Sequence, residues 1–219
     1  MPFIDIHTHN EAREDGIVKI RNIFPGDGFA AHAGNNYYSV GLHPWHVKSD
    51  NDKKLSLVEK ALLFDQVIAI GECGLDKLSD SDFEEQKRVF SCQVELSEKY
   101  KKPLIIHNVK AVDELLKVRN DKKALQPWII HGFIGSEQLA AQLLEKGFLF
   151  SFGGILFQEK AKGIASFKSL PLEKVFFETD ELDCSVADIY HIGAELMGMD
   201  IQLLKSKIED NFNKIFRLG

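Results

Sequence analysis

Histidines and acidic residues stand where several apolar segments of the sequence end. Asp5, His7 and His9 alternate with Ile6 and Thr8, so on a β-strand the three polar side chains project from one face. Four later apolar segments each end in one further side chain that can bind a metal ion. The six candidate ligands are His7, His9, Glu72, His107, His131 and Asp180. Imidazole and carboxylate groups in this pattern predict a divalent-metal site.

Six candidate ligands are too many for one tetrahedral zinc ion that also keeps a position open. They suit two cations that share one carboxylate. A pair of cations about 3.5–4 Å apart can activate a water molecule and stabilise both the attacking and the leaving oxygen. Four imidazoles with two carboxylates favour Zn²⁺ or Mn²⁺, with Mg²⁺ possible although it prefers an oxygen shell. The sequence therefore predicts two divalent cations at a hydrolytic site.

The elements that carry these ligands alternate between short apolar segments and amphipathic segments. Such an alternation predicts parallel βα units with helices on the sheet faces, and active sites lie at the carboxyl ends of such strands. The eight apolar segments are Phe3–His9, Ile17–Phe24, Tyr37–His43, Val67–Glu72, Leu104–His107, Trp128–His131, Phe148–Phe152 and Val175–Asp180. They predict a (β/α)8 TIM-like barrel, with a flavodoxin-like open sheet as the alternative.

The first third of the chain departs from a regular repeat. Between His9 and Gly41 there is room for a strand but not for two full helices, and Pro25, Gly26 and Gly28 favour turns there. We expect a distorted barrel with the first helices shortened or missing. No linker or change of composition divides the sequence, so residues 1–219 are predicted to form a single domain.

Composition and charge narrow the class of protein. The 219 residues carry 27 Lys+Arg against 33 Asp+Glu, a net charge of −6, so the chain lacks a general electrostatic footprint for nucleic acid. The three cysteines form no CxxC motif, which is typical of a reducing compartment. No apolar segment approaches the length of a membrane span. We expect a soluble, cytoplasmic monomer that binds no membrane.

Seven short motifs in a fixed order resemble the TatD family of metal-dependent hydrolases and deoxyribonucleases, which belongs among the amidohydrolase-like TIM barrels. The motifs are FIDIHTH, VGLHP, AIGECGLD, PLIIH, IIHGFIGS, FSFGG and FFETD. The resemblance extends from Pro2 to Asp180, with a looser match over Asn211–Leu218. It implies a (β/α)8 barrel that cleaves phosphodiester bonds of DNA.

The resemblance also implies a role for each site residue. One metal would be held by His7, His9, Glu72 and Asp180. The second metal would be held by Glu72, as the bridging ligand, together with His107 and His131. The implied catalytic residues are Glu72 and Asp180, and Asp180 would orient or deprotonate the attacking water. His43, in the VGLHP motif, is not a family ligand; we expect it to be a further catalytic residue at the rim, near a substrate oxygen.

Three functions remain open from the sequence. The first is a two-metal phosphodiesterase or deoxyribonuclease, with DNA or a small phosphodiester as the substrate. The second is a metal-dependent hydrolase of a small ester, lactone or amide; it is favoured because Glu181 and Asp183 follow Asp180, where the family usually has Ser-Pro and a basic loop. The third is a non-catalytic barrel that serves as a binding module, since the periphery is trimmed.

Overall fold

A computed structural model describes residues 1–12, 14–27 and 36–216. Within these ranges the chain forms eight β-strands and seven α-helices. The strands are β1 (Phe3–Thr8), β2 (Ile17–Ile23), β3 (Asn36–Val40), β4 (Val67–Asp76), β5 (Leu104–Val109), β6 (Trp128–Ile130), β7 (Leu149–Phe152) and β8 (Val175–Phe177). The helices are α1 (Asn51–Ala61), α2 (Phe83–Tyr100), α3 (Val112–Lys122), α4 (Glu137–Glu145), α5 (Lys162–Ser169), α6 (Val186–Met197) and α7 (Ile201–Phe216). All eight predicted strands are present.

The chain divides into two compact units. Unit 1 comprises Met1–Arg21 and Ile129–Gly219, and unit 2 comprises Asn22–Trp128. The prediction of a single domain over residues 1–219 stays a prediction.

Unit 1 is built on parallel strand pairs. Strand β1 pairs with β2 (Phe3 opposite Ile17), β6 with β7 (Ile129 opposite Leu149) and β7 with β8 (Ser151 opposite Phe176). A bridge between Thr8 and Asp180 adds the segment after β8 to β1. The carboxyl ends of β1 and β8 are thereby brought together, as the predicted site requires.

Aromatic rings fill the core of unit 1. Phe152 packs against Phe167 with ring centroids 5.3 Å apart, Phe167 against Phe177 at 5.8 Å, and Phe177 against Tyr190 at 4.6 Å. The Tyr190 hydroxyl both accepts a hydrogen bond from the Ile4 amide and donates one to the Ile4 carbonyl, each at 3.2 Å. Because its only polar atom is satisfied, a large ring from α6 can lie fully buried against β1.

Unit 2 contains the parallel pairs β3–β4 and β4–β5. Tyr38 lies opposite Val67, and Gly74 lies opposite His107. Helix α2 packs on β4 and presents two buried glutamines, Gln86 and Gln93, which share one helix face because they are seven residues apart. These two side chains bind the backbone of Leu42, which precedes His43, and of Asp76, which follows Glu72.

Each glutamine hydrogen-bonds both backbone groups of one residue. The Leu42 amide donates to Gln93 Oε1 at 2.7 Å, and Gln93 Nε2 donates to the Leu42 carbonyl at 3.1 Å. Gln86 makes the same pair of bonds with Asp76, at 2.8 and 3.0 Å. Satisfying buried backbone groups in this way fixes the loop after β3 and the end of β4 against α2.

The predicted distortion of the first third is confirmed for the described residues. The described residues between β1 and β2 contain no helix, and the first α-helix, α1, follows β3. Residues 28–35, between β2 and β3, lie outside the described ranges. Over the described chain, no helix combines the length and the hydrophobicity needed to cross a bilayer.

Candidate metal centre

Unit 1 assembles three of the predicted ligands. His7, His131 and Asp180 form what we call the histidine–aspartate cluster, in which one donor atom from each residue lies within 4.8 Å of the others. His7 Nε2 lies 3.5 Å from Asp180 Oδ1, and the rings of His7 and His131 have centroids 4.5 Å apart. His9 Nε2 lies 3.7 Å from the same Asp180 oxygen. Four of the six predicted ligands therefore lie together in unit 1.

Backbone hydrogen bonds hold Asp180 beside the two histidines of β1. The Asp180 amide donates to the His7 carbonyl at 2.9 Å, and the His9 amide donates to the Asp180 carbonyl at 3.0 Å. Asp180 has φ +55°, in the left-handed region that is unfavourable for a residue with a Cβ atom. The two flanking bonds hold this conformation, which is common at functional sites.

Asp5 was expected to face the site with His7 and His9, but it belongs to none of the candidate metal clusters among the described residues. Its Oδ2 accepts a hydrogen bond from Thr179 Oγ1 at 2.7 Å, and its Oδ1 accepts one from the Thr179 amide at 3.1 Å. Burial raises the pKa of Asp5 to about 7, although the bonds from Thr179 act in the opposite direction. Asp5 thus anchors the segment that carries Asp180 to β1.

Unit 2 assembles a second group, the histidine–glutamate cluster of His43, Glu72 and His107. Glu72 Oε1 lies 3.1 Å from His43 Nε2 and 2.9 Å from His107 Nδ1. Glu72 and His43 are buried and His107 is partly exposed. The Glu72 carboxylate and the His107 imidazole are donors that zinc and manganese accept.

His43 is buried, whereas a residue at the rim of the site would be exposed. It is only 7% exposed, and its Nδ1 accepts a hydrogen bond from the Trp45 amide at 3.1 Å. Since Nδ1 is an acceptor, the neutral ring carries its proton on Nε2, which faces Glu72. His43 therefore holds the Glu72 carboxylate in place. Its predicted contact with a substrate oxygen stays a prediction.

Two of the predicted histidine ligands have a carboxylate against one ring nitrogen. Asp76 Oδ2 lies 3.2 Å from His107 Nε2, and Glu178 Oε1 lies 3.3 Å from His131 Nδ1. Metal-binding histidines commonly donate their other N–H to such a carboxylate, which fixes the tautomer and the ring orientation. Asp76 was not identified from the sequence. Its signal was present in the AIGECGLD motif, four residues after Glu72.

The carboxyl of Asp76 is ionised more readily than usual. Burial alone would raise its pKa, but hydrogen bonds from Trp45 Nε1, the Leu78 amide and His107 outweigh burial and lower the pKa. The Trp45 bond is 2.7 Å long and the Leu78 bond 2.8 Å. An anionic Asp76 keeps the proton of His107 on Nε2. The lone pair of His107 Nδ1 therefore faces Glu72.

Two glycines permit the close backbone packing around this cluster. A Cβ atom on Gly74, which has φ +144°, would lie 2.0 Å from the His107 carbonyl oxygen. A Cβ atom on Gly41 would lie 2.7 Å from the Glu72 carbonyl oxygen. Glycine is therefore required at both positions if β4 is to bring Glu72 beside His43 and His107.

Comparison with known proteins decides the family. A family model described as TatD related DNase matches residues 29–217. The chain belongs to the TatD family. TatD relatives include YabD of Bacillus subtilis, named an uncharacterized metal-dependent hydrolase, which is 31% identical over 199 residues, or 84% of this chain and 78% of YabD. YjjV of Escherichia coli, with the same description, is 31% identical over 151 residues, 67% of this chain and 58% of YjjV.

Solved TatD structures share the fold. The crystal structure of YjjV, a TatD homologue, superposes with a TM-score of 0.87 at 24% identity and covers 99% of this chain and 98% of that one. A TatD family hydrolase from Entamoeba histolytica gives a TM-score of 0.76 over 98% of each chain. This likeness confirms the predicted distorted (β/α)8 barrel, and the match to the family model confirms the predicted family. The TatD family comprises metal-dependent hydrolases, and the donor set of both clusters fits divalent cations.

Proposed function

We propose that this TatD protein is a two-metal phosphodiesterase that cleaves DNA. The observation that carries the proposal is the composition of the two clusters, in which imidazoles lie within 4.8 Å of a carboxylate in each unit. Two of these imidazoles have a further carboxylate at their other nitrogen, an arrangement typical of metal ligands. The description of the matching family as DNases supports DNA as the substrate.

The six predicted ligands would be divided between two cations. We assign His7, His9, Glu72 and Asp180 to the first cation, and Glu72, His107 and His131 to the second. When bound, a cation pair supplies positive charge that polarises the phosphoryl oxygens and makes a nearby water molecule more acidic. Zn²⁺ and Mn²⁺ suit this mixture of nitrogen and oxygen donors better than Mg²⁺ does.

Asp180 is the residue best suited to take the proton of the attacking water. Its side chain is 41% exposed, so a substrate can reach it, and Oδ1 lies 3.5 Å from His7 Nε2 and 3.7 Å from His9 Nε2. An ionised carboxylate in that position can orient the water and accept its proton. His43 acts through Glu72, because its Nε2–H donates to the Glu72 carboxylate and fixes its direction.

A second candidate is the hydrolysis of a small ester, lactone or amide. It is favoured by the exposed acidic residues Glu181 and Asp183, which follow Asp180 directly and repel a long polyanion. The net charge of −6 likewise disfavours the binding of a long polyanion. The same centre would serve either substrate, since the cations and Asp180 act on the reacting bond rather than on the rest of the molecule.

The test compares metal-loaded protein on several substrates. Protein loaded with Mn²⁺ or Zn²⁺ is assayed with single-stranded DNA, with duplex DNA and with a panel of small esters, lactones and amides. We expect release of nucleotides or cleavage products from DNA, and loss of this activity in Glu72→Gln. Glu145→Gln, an exposed change on α4, is the matched control and is expected to retain full activity. Hydrolysis of the small substrates with none of DNA would overturn the proposal and support the second candidate.

A further inference from the structure

We propose that Trp45 and the groove beside it form a nucleobase-binding subsite next to the histidine–glutamate cluster. This inference rests on the proposed phosphodiesterase function and names the part of the substrate that unit 2 recognises. The groove has a volume of about 490 Å³ and is lined by Trp45, Asp76, Leu78, Ser79, Asp80, Ser81 and Val109.

The indole of Trp45 is exposed and yet held in one orientation. Its side chain is 60% exposed, which is unusual for the largest apolar side chain. It lies on a short 3-10 helix, Pro44–His46, and Nε1 donates to Asp76 Oδ2 at 2.7 Å. A ring that is fixed before the ligand arrives loses little conformational freedom on binding, so it can serve as a stacking platform.

Trp45 contacts two rings of the histidine–glutamate cluster, one of which, His107, is a proposed metal ligand. Its centroid is 4.9 Å from that of His43, with the planes at 83°, and 5.8 Å from that of His107, with the planes at 72°. Both contacts are edge-to-face. A base stacked on Trp45 would therefore lie beside His107 and Glu72, which would hold the cation proposed to bind the phosphate of the same nucleotide.

The groove favours a base and disfavours a phosphate. Its lining residues include two carboxylates, Asp76 and Asp80, and no lysine or arginine. Carboxylates repel a phosphate, but they accept hydrogen bonds from the exocyclic amino group of a base. Leu78, 64% exposed, adds apolar surface beside the indole. The chemistry therefore fits an amino-bearing base, such as adenine or cytosine, stacked on Trp45.

Ligand binding tests the subsite without catalysis. Zinc-loaded protein is titrated calorimetrically with dAMP and with deoxyribose 5-phosphate, which lacks the base. Stacking of one base is worth about 1–3 kcal/mol, so we expect dAMP to bind about tenfold more tightly. In Trp45→Leu the two ligands should bind equally, whereas Trp45→Phe should retain most of the difference. Phe64→Leu, an exposed aromatic residue that precedes β4, is the matched control.

Indole fluorescence gives a second, local readout. The chain has two tryptophans, and Trp128 is fully buried, so quenching by dAMP reports on Trp45. We expect quenching by dAMP, none by deoxyribose 5-phosphate, and none by either ligand in Trp45→Phe. Equal affinity for the two ligands in the unaltered protein, or an undiminished preference for dAMP in Trp45→Leu, would overturn the subsite.

Cleavage assays separate this inference from the proposed function. Oligonucleotides with adenine or an abasic residue at either end are given to the metal-loaded protein. We expect Trp45→Leu to raise KM about tenfold for the adenine end and to leave the abasic end unchanged. If the unaltered protein cleaves neither while dAMP still binds through Trp45, the phosphodiesterase function fails and the base subsite stands. If both are cleaved with equal KM, the function stands and the subsite fails.

Discussion

Asp76 Oδ2 accepts hydrogen bonds from two rings of unit 2, lying 3.2 Å from His107 Nε2 and 2.7 Å from Trp45 Nε1. One carboxylate thus sets the tautomer of a proposed metal ligand and the orientation of the exposed indole. Because this residue lies at the carboxyl end of β4, four residues after Glu72, a single strand supplies both a proposed ligand and the group that orients the next one.

Removing the charge of Asp76 should weaken metal binding. We expect Asp76→Asn to lower metal affinity about 10- to 100-fold, since an amide no longer fixes the N–H of His107 on Nε2. Competition of the loaded protein with a chelating dye measures the dissociation constants. Asp65→Asn, an exposed change that precedes β4, should leave both constants unaltered. Unchanged affinity in Asp76→Asn would show that His107 needs no orienting carboxylate.

Asp5 should contribute to the stability of unit 1 through Thr179. We expect Asp5→Ala to lower the free energy of unfolding by about 1–3 kcal/mol, because the Thr179 amide and hydroxyl lose their buried acceptors. Urea unfolding of Asp5→Ala, Thr179→Val and the double variant measures the coupling. Additive effects in this cycle would contradict a direct interaction.

Two glycines with positive φ should respond differently to a methyl group. Gly74→Ala should be strongly destabilising, by more than about 3 kcal/mol, because its Cβ would lie 2.0 Å from the His107 carbonyl oxygen. Gly16→Ala, at φ +77° with nothing within 4 Å of the added Cβ, should lose only about 1 kcal/mol. Thermal unfolding of both variants measures the difference, and equal losses would refute the close approach of β4 to β5.

The ionised carboxylate of Glu85 should stabilise the protein at neutral pH, and this stabilisation should be lost at strongly acidic pH. Hydrogen bonds from Arg88 and Asn51 lower the pKa of Glu85 to about 2 from the ordinary value of 4.5. A lowered folded-state pKa contributes stability above about pH 4.5, and this contribution is lost as the pH falls towards 2. We expect Glu85→Gln to destabilise at pH 6 by less than about 1 kcal/mol, since the pair is largely exposed. Urea unfolding of both proteins should show a gap that narrows between pH 4.5 and pH 2; a gap that widens over this range would contradict the assigned pKa.

Metal binding should stabilise the fold. A cation at about 100 times its dissociation constant adds about 2.7 kcal/mol, which for a chain of this size raises Tm by roughly 5–10 °C. We expect this rise on adding Zn²⁺ or Mn²⁺ to chelator-treated protein, and a smaller rise in Glu72→Ala. Differential scanning calorimetry with matched Ca²⁺ as a control measures it. A Tm that no divalent cation moves would argue for the non-catalytic binding module.

The sequence predicted the parts of the site that follow from strand periodicity. Each predicted ligand stands within or directly after a run of apolar residues, and parallel strands place such residues at one edge, so His107 and Asp180 could be predicted as ligands from the sequence. The family motifs supplied the assignment of ligands to individual metals, which the geometry of strands alone does not contain.

The residues that were missed or misplaced depend on side-chain packing between elements distant in sequence. Asp76 was missed, because its contacts with His107 and Trp45 arise only once β5 and the 3-10 helix pack against β4. His43 was expected at the rim, but Gln93 holds Leu42 against α2 and brings His43 to Glu72. The hydrogen bond between Thr179 and Asp5 also depends on packing between distant elements, because the two residues are 174 positions apart.

The partners of β1 in unit 1 have a consequence for biosynthesis. Ile4 is bonded to Tyr190, and the backbone of His7 and His9 is bonded to Asp180. These partners follow β1 by 172 residues for Thr8 and Asp180 and by 186 residues for Ile4 and Tyr190, so the ribosome makes them after β1. Until Asp180 and Tyr190 have been synthesised, β1 lacks these hydrogen-bond partners. Ile4 and Ile6 are therefore accessible to chaperones during that time.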